Sequence, residues 1–288
     1  MILTHKNNGL FSKTEKPQIV VIIRGHIREG FSNDKLRNFV QFLIKHYHAR
    51  IFIHTWSEVN GSKSWKETPN MGVSNRQDST QVTPKMIQDY FTNITLSRIV
   101  IENDKDLKLI GPVEGQLSKS CICCPKIAWK NMWAGKYNIF GKIKHEVSPE
   151  TTTIEFRFDL FCHSNSCHSN FSEYSVYERC SNLSTEFNEY KPRCLSTDLI
   201  CGLDNLMIGS FQQLTTLITY FHTKLSMITD MYPNIRNQEF MVFHFIEQIF
   251  IAPPPQKTAS ESDRNRILIQ TVSRPKQMNA FITKKKRF

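Results

Sequence analysis

The distribution of apolar and polar positions divides the first half of the chain into short elements of two kinds. Gln18 to Ile23 (QIVVII) is a β-branched apolar run, the pattern of a strand buried on both faces. It ends at Arg24-Gly25-His26. From Asn33 the spacing turns helical, with Leu36, Phe39, Val40, Leu43, Ile44 and Tyr47 on one face and Ser32 or Asn33 suited to cap it. Arg50 to His54 (RIFIH) predicts a second strand. Strand, helix and strand in so short a span form a βαβ unit, which requires parallel pairing.

Further on, residues 57–80 are polar and read as a long loop. Thr83-Pro84 has the chemistry of a helix start, with the helix running to Phe91. Arg98 to Glu102 (RIVIE) predicts a third strand, residues 103–124 look irregular, and a helix is expected over Lys126 to His145. Trp129, Trp133 and Tyr137 would mark one face of that helix, as core packing or as a platform for a sugar ring. Thr152 to Phe158 predicts a fourth strand. Residues 162–195 lack a period and read as an insertion rich in Cys, Ser and Asn. Leu199 to Gly209 returns to the core, helices follow over about 211–227 and 238–250, and Arg266 to Thr271 could form a last strand. The alternation predicts an α/β fold: a mostly parallel sheet flanked by helices in one main domain, residues 17–255. An N-terminal extension (1–16) precedes it and a basic segment (256–288) follows.

Composition narrows the classes. Of 288 residues, 40% are apolar and 11 are Gly, which excludes a disordered or collagen-like chain. No apolar stretch approaches the roughly 18–20 residues that cross a bilayer, and the polar N-terminus lacks a signal-peptide core, so a cytoplasmic location is expected. The net charge of +11 suggests an anionic partner. Its distribution is uneven. Nine Lys/Arg against Glu261 and Asp263 put +7 on residues 256–288 and leave +4 on the first 255. The body is therefore not a polyanion-binding surface, and no nucleic-acid partner is expected, although the tail could touch a membrane surface. Eight cysteines without a signal peptide do not suggest a disulfide framework. The repeat Cys162-His163 and Cys167-His168, with Cys121, Cys123 and Cys124 upstream, offers zinc-binding groups at a spacing foreign to common zinc modules. Free thiols are the plainer reading, and a basic nucleic-acid-binding protein with a Cys/His zinc module is the alternative function.

Ligands of open parallel sheets bind outside the carboxyl ends of the strands. After the first strand, Arg24, Gly25, His26 and Arg28 combine two guanidinium forks, an imidazole and a glycine, which suits a diphosphate; the plain alternative is a solvated β–α turn. After the second, Trp56 could stack on a base or cap the core. After the fourth, Asp159 could bind a divalent ion bridging two phosphates, or merely cap a turn. Neither GxxxxGK[ST] nor GxGxxG occurs.

The segments Ile23–Arg28, Ile51–Trp56, Trp129–Trp133, Arg157–Phe161 and Asp204–Gly209 recur in this order in GT-A-type glycosyltransferases. The chain resembles in particular the small enzymes of large algal DNA viruses that glycosylate capsid protein, and bacterial polysaccharide enzymes. The likeness spans roughly Gln18 to Phe250. It implies transfer of a hexose or pentose from a nucleoside-diphosphate donor, UDP-linked with UDP-xylose among the candidates, to a glycan or glycoprotein acceptor such as a viral capsid protein. By this resemblance Arg24, Gly25, His26 and Arg28 face the diphosphate, Thr55 or Trp56 the base, and Asp159 binds Mn²⁺ or Mg²⁺ at the end of the family's Asp-x-Asp motif. Arg157 stands in place of that motif's first acid, so it could itself neutralise the leaving group. Lys130 and Lys136 are candidates to reach the phosphates from their helix. Asp204 and Glu239 are the candidate catalytic carboxylates, Glu239 being equally suited to a first-turn interaction with its helix dipole.

Overall fold

The computed structural model describes residues 2–3, 19–60, 80–119, 121–161, 176–177, 180, 193–194, 206–231, 233–234 and 241–242. In chain order the elements are β1 (Ile2–Leu3), β2 (Ile19–Arg24), α1 (Lys35–Tyr47), β3 (Arg50–Trp56), α2 (Pro84–Tyr90), β4 (Leu96–Glu102), β5 (Gln116–Ser118), β6 (Cys121–Pro125), α3 (Lys126–Ile143), β7 (Thr152–Arg157), β8 (Arg193–Cys194), β9 (Leu206–Ser210) and α4 (Phe211–Met231). Among the described residues the main sheet has seven strands in the order β1-β4-β3-β2-β7-β9-β8. The run β4-β3-β2-β7 is parallel, whereas β1 and β9 run opposite to their neighbours. This is an α/β fold with a mostly parallel sheet flanked by helices, compatible with a Rossmann-like arrangement.

β2 is central and buried along its whole length, as its continuous apolar run requires. Ile19, Val21 and Ile23 face α1 and α2 in one core, with Leu36, Phe39, Val40, Leu43 and Ile87. Val20 and Ile22 face α3 and α4 in the other, with Trp129, Trp133, Phe140, Leu214 and Phe221. α1 begins at Lys35, slightly later than the periodicity suggests. Asn33 Oδ1 accepts from the Lys35 amide at 3.0 Å, within the turn before the first helical residue. α2 is capped as expected: Thr83 Oγ1 accepts from the Met86 amide at 3.2 Å, and Pro84 opens the helix.

Several expectations need correcting. Ile2 and Leu3 pair with Val100 and Ile99, so two residues of the N-terminal extension belong to the sheet. Within the span read as irregular, β5 and β6 form an antiparallel hairpin. Tyr137 leaves the face of Trp129 and Trp133: eight helical positions turn through about 80° beyond two full turns, and its ring stacks on exposed-side His222 at 4.4 Å. Trp129 and Trp133 are core residues, 1% and 0% exposed. Most of the 162–195 insertion, all but Met241 and Val242 of the helix expected over 238–250, the strand over 266–271 and the basic tail lie outside the described residues. No helix among the described residues is long and apolar enough to cross a membrane.

Candidate functional site

The chain order and the strand order disagree at one place. From β2 the chain moves through α1 and α2 to β3 and β4 on one side, then through α3 to β7 on the other. The carboxyl ends of β2 and β7 are therefore the point where the winding reverses, the general ligand position in such sheets. Arg24 and Arg157 are register partners at this point.

Strand alternation decides which side chains share the face covered by α3. On β2 it is Arg24, on β3 His54 and Trp56, on β7 Glu155 and Arg157. Together with Gly25, His26 and Arg28 beyond β2, and with Ala128, Asn131, Met132, Gly135 and Lys136 of α3, most of these line one cleft. Thr55 has the opposite parity. It is fully buried on the α1 side of β3 and does not line the cleft, which corrects the expectation that it contacts a base. Lys130 is also placed elsewhere. Its ammonium donates to the Ile110 carbonyl and to Ser226 Oγ at 2.8 Å, against α4. Burial, joined by the charge of Lys126, lowers its pKa.

Three charged clusters organise the cleft. The deepest joins Arg24, Glu155 and Lys136, with side-chain exposures of 4%, 0% and 0%. Arg24 Nε donates to Glu155 Oε1, and Lys136 Nζ lies 3.3 Å from Glu155 Oε2. The same ammonium sits 4.7 Å from the centre of the Trp133 ring, a cation–π contact in a dry setting. At the rim, Asp159 is shared by two guanidiniums: Arg28 Nη1 donates to Oδ2 at 2.8 Å and Arg157 Nε to Oδ1 at 2.7 Å. Burial opposes ionisation of this carboxyl, but Arg157 and Arg28 hold its pKa well below the usual range. Beside the cleft, Glu102 accepts from His54 Nε2 at 2.9 Å, Asn138 Nδ2 at 3.0 Å and Lys142 Nζ at 2.5 Å. Burial again works against the charge, and the bonds from His54 and Lys142 outweigh it, so Glu102 stays ionised.

His26 lines the cleft with its Nδ1 3.2 Å from the Glu58 carbonyl. That carbonyl requires the proton on Nδ1, which leaves Nε2 as an acceptor. Burial, then the charge of Arg28, pushes its pKa down to about 4, so the ring is neutral at pH 7. The backbone of this loop is bent to bring its side chains in: Gly25 has φ +96° and Arg28 φ +48°, the second being a left-handed conformation uncommon for any residue but glycine. Their amides are not an anion cradle. Gly25 N–H donates to the His54 carbonyl at 3.1 Å and Arg28 N–H to the Val59 carbonyl at 2.9 Å. The guanidiniums, not the backbone, supply the positive groups.

Trp56 lines the cleft but is only 4% exposed, its ring edge-on to His54 at 4.9 Å. It acts as a wall more than as a stacking surface. α3 passes directly over it because position 135 is glycine: an added Cβ would lie 2.8 Å from His54 Cε1 and 2.9 Å from Trp56 Cζ2.

A divalent ion at Asp159 does not fit this donor set. Both carboxylate oxygens are engaged by guanidiniums, whose charge has the same sign as the ion's. Asp204 and Glu239 lie outside the described residues. Glu155 is the functional residue that sequence reading passed over. A lone acid inside the apolar strand TTIEFRF was the available signal, because a buried carboxylate demands cationic partners.

No family model matches this chain, nor does any curated protein or solved structure.

Proposed function

We propose that the cleft binds the diphosphate of a nucleoside-diphosphate sugar and that the protein transfers that sugar to a hydroxyl of a glycan acceptor. One observation carries this reading. Segments as far apart in the chain as Arg24–Arg28, Trp56, Asn131–Met132 and Arg157, each part of a motif that resembles those of GT-A-type glycosyltransferases, line one cleft at the switch point of the sheet. Arg28 and Arg157 form a forked pair at the rim, and Arg24 and Lys136 place positive charge beneath them.

In the transfer the acceptor oxygen bonds to the anomeric carbon while the bond from that carbon to the diphosphate oxygen breaks. The electron pair, and the charge, pass to the diphosphate. Positive groups fixed where this charge develops favour the transition state over the ground state. Here Arg28 and Arg157 take the neutralising role that a metal fills elsewhere, in keeping with the misfit of a divalent ion at Asp159. The acceptor's proton goes to a carboxylate, for which Asp204 and Glu239 are the candidates.

The test is thermal shift with UDP, GDP, CMP and their sugars, each in Mn²⁺ and in EDTA. A nucleoside diphosphate at about 100 times its Kd should add about 2.7 kcal/mol of stability, in EDTA as in Mn²⁺. Arg28→Ala and Arg157→Ala should each weaken that ligand about tenfold or more, the size of one charge-assisted hydrogen bond. Stabilisation by none of the nucleotides defeats the proposal. Salt-sensitive binding of an oligonucleotide in their place would favour the nucleic-acid reading.

A further inference from the structure

Asn131 stands out among the cleft residues. It is only 8% exposed, and its Oδ1 is buried with no hydrogen-bond partner among the described residues. The other buried unpartnered atoms, Arg98 Nε, Trp129 Nε1 and Trp133 Nε1, belong to residues that do not line the cleft. A sealed polar group without a partner costs about 1–3 kcal/mol. Such a cost at a cleft wall is recovered when the side chain turns its oxygen toward a ligand that supplies the missing bond.

The surroundings of Asn131 tell which part of a ligand it meets. It lies on α3 five residues before Lys136, about 7.5 Å nearer the helix start at 1.5 Å per residue. Its neighbours on the lining stripe are Ala128 and Met132, which are apolar, while the cations gather at the Lys136 end. An amide between apolar neighbours discriminates a neutral N–H or O–H group, because a phosphate would gain more from the guanidiniums.

We infer that Asn131 is a specificity-determining residue that hydrogen-bonds the neutral polar part of the ligand, base or sugar, next to the diphosphate. This rests on the diphosphate reading of the cleft. Two sources share this chemistry: the imide edge of a pyrimidine and the hydroxyls of a sugar.

The experiment is calorimetric titration of the full chain with inorganic pyrophosphate, UDP and glucose 1-phosphate, for the wild type, Asn131→Leu and Asn131→Ala. Removing an amide that lacks a partner should leave the melting temperature of the ligand-free Leu variant unchanged or raised. The Ala variant serves if Leu fails to fold. Pyrophosphate should bind wild type and variants alike, while one organic ligand loses about tenfold in affinity. Loss confined to UDP assigns Asn131 to the nucleoside, and loss confined to the sugar phosphate assigns it to the transferred sugar. Equal loss for pyrophosphate, or no loss for either organic ligand, overturns the inference. If wild type fails to bind pyrophosphate at all, the diphosphate reading itself falls and this inference falls with it.

Discussion

Two clusters in the cleft have the same composition, two cations around one carboxylate, and opposite environments. Arg24, Glu155 and Lys136 are sealed, none more than 4% exposed; Arg28, Asp159 and Arg157 are 35%, 16% and 25% exposed. In the sealed cluster each charge has surrendered its hydration, and the carboxylate is what makes burial of the cations tolerable. At the rim, water competes with every contact, and the pairing energy is small. The lesson is a division of labour. The inner cluster fixes the floor of the cleft at a cost in desolvation, and the outer one holds two part-exposed forks in position, where the proposed diphosphate would meet them.

The contrast can be broken most forcefully at Glu155. Glu155→Gln deprives two buried cations of that carboxylate and should destabilise the fold by about 3–5 kcal/mol, read from urea unfolding at pH 7. A loss below about 1 kcal/mol would mean that the inner cluster is as wet as the rim.

His26 tests the rim by pH. Its pKa is about 4 in the folded chain against an ordinary 6.5, so the unfolded chain binds the extra proton first. Stability should therefore fall as pH drops from 6.5 to 4, by up to about 3 kcal/mol. In His26→Asn that slope should flatten. An unchanged slope would place the proton elsewhere.

Gly135→Ala probes the seal over the inner cluster. Alanine favours a helix by about 1 kcal/mol, but its methyl would press on the buried rings of His54 and Trp56. Overpacking should prevail, with a net loss of about 1–2 kcal/mol and weaker diphosphate binding as α3 is displaced.

Asp159→Asn should cost less at neutral pH than Glu155→Gln, about 1–2 kcal/mol, because the rim pairs keep partial contact with water. The folded-state pKa of Asp159 is depressed, so its contribution is present above the unfolded value near 4 and fades as pH falls below it. The difference in urea midpoint between pH 5 and pH 3 should shrink in the variant. A neutral-pH loss as large as that of Glu155→Gln would erase the distinction between the clusters.

The strands and helices around β2 were legible because their burial leaves a period: 2 or continuous in the strands, 3.6 in α1. The hairpin β5–β6 was not, since Cys121–Pro125 has no alternation, only Ile122 as a strong strand former, and pairs with an irregular register. Arg24, His26, Arg28, Trp56 and Arg157 could be placed at the cleft because strand ends are a topological property. Which of Lys130 and Lys136 faces it depends on the rotation of α3, which Trp129 and Trp133 alone did not anchor. Thr55 was misplaced for want of applying strand alternation past His54. Glu155 needed its long-range partners: Arg24 is 131 residues away, and only the fold brings the two together.

α3 forms one wall of the cleft and is fastened along its length. The Lys126 amide holds the Gly115 carbonyl at 2.9 Å, Lys130 reaches α4, and Asn138 and Lys142 grip Glu102 while Arg98 binds the Lys142 carbonyl at 2.7 Å. A wall tied at both ends and in the middle has no hinge. If the proposed diphosphate ligand enters past α3, that wall sets no opening step, and the observed association rate should climb linearly with ligand concentration.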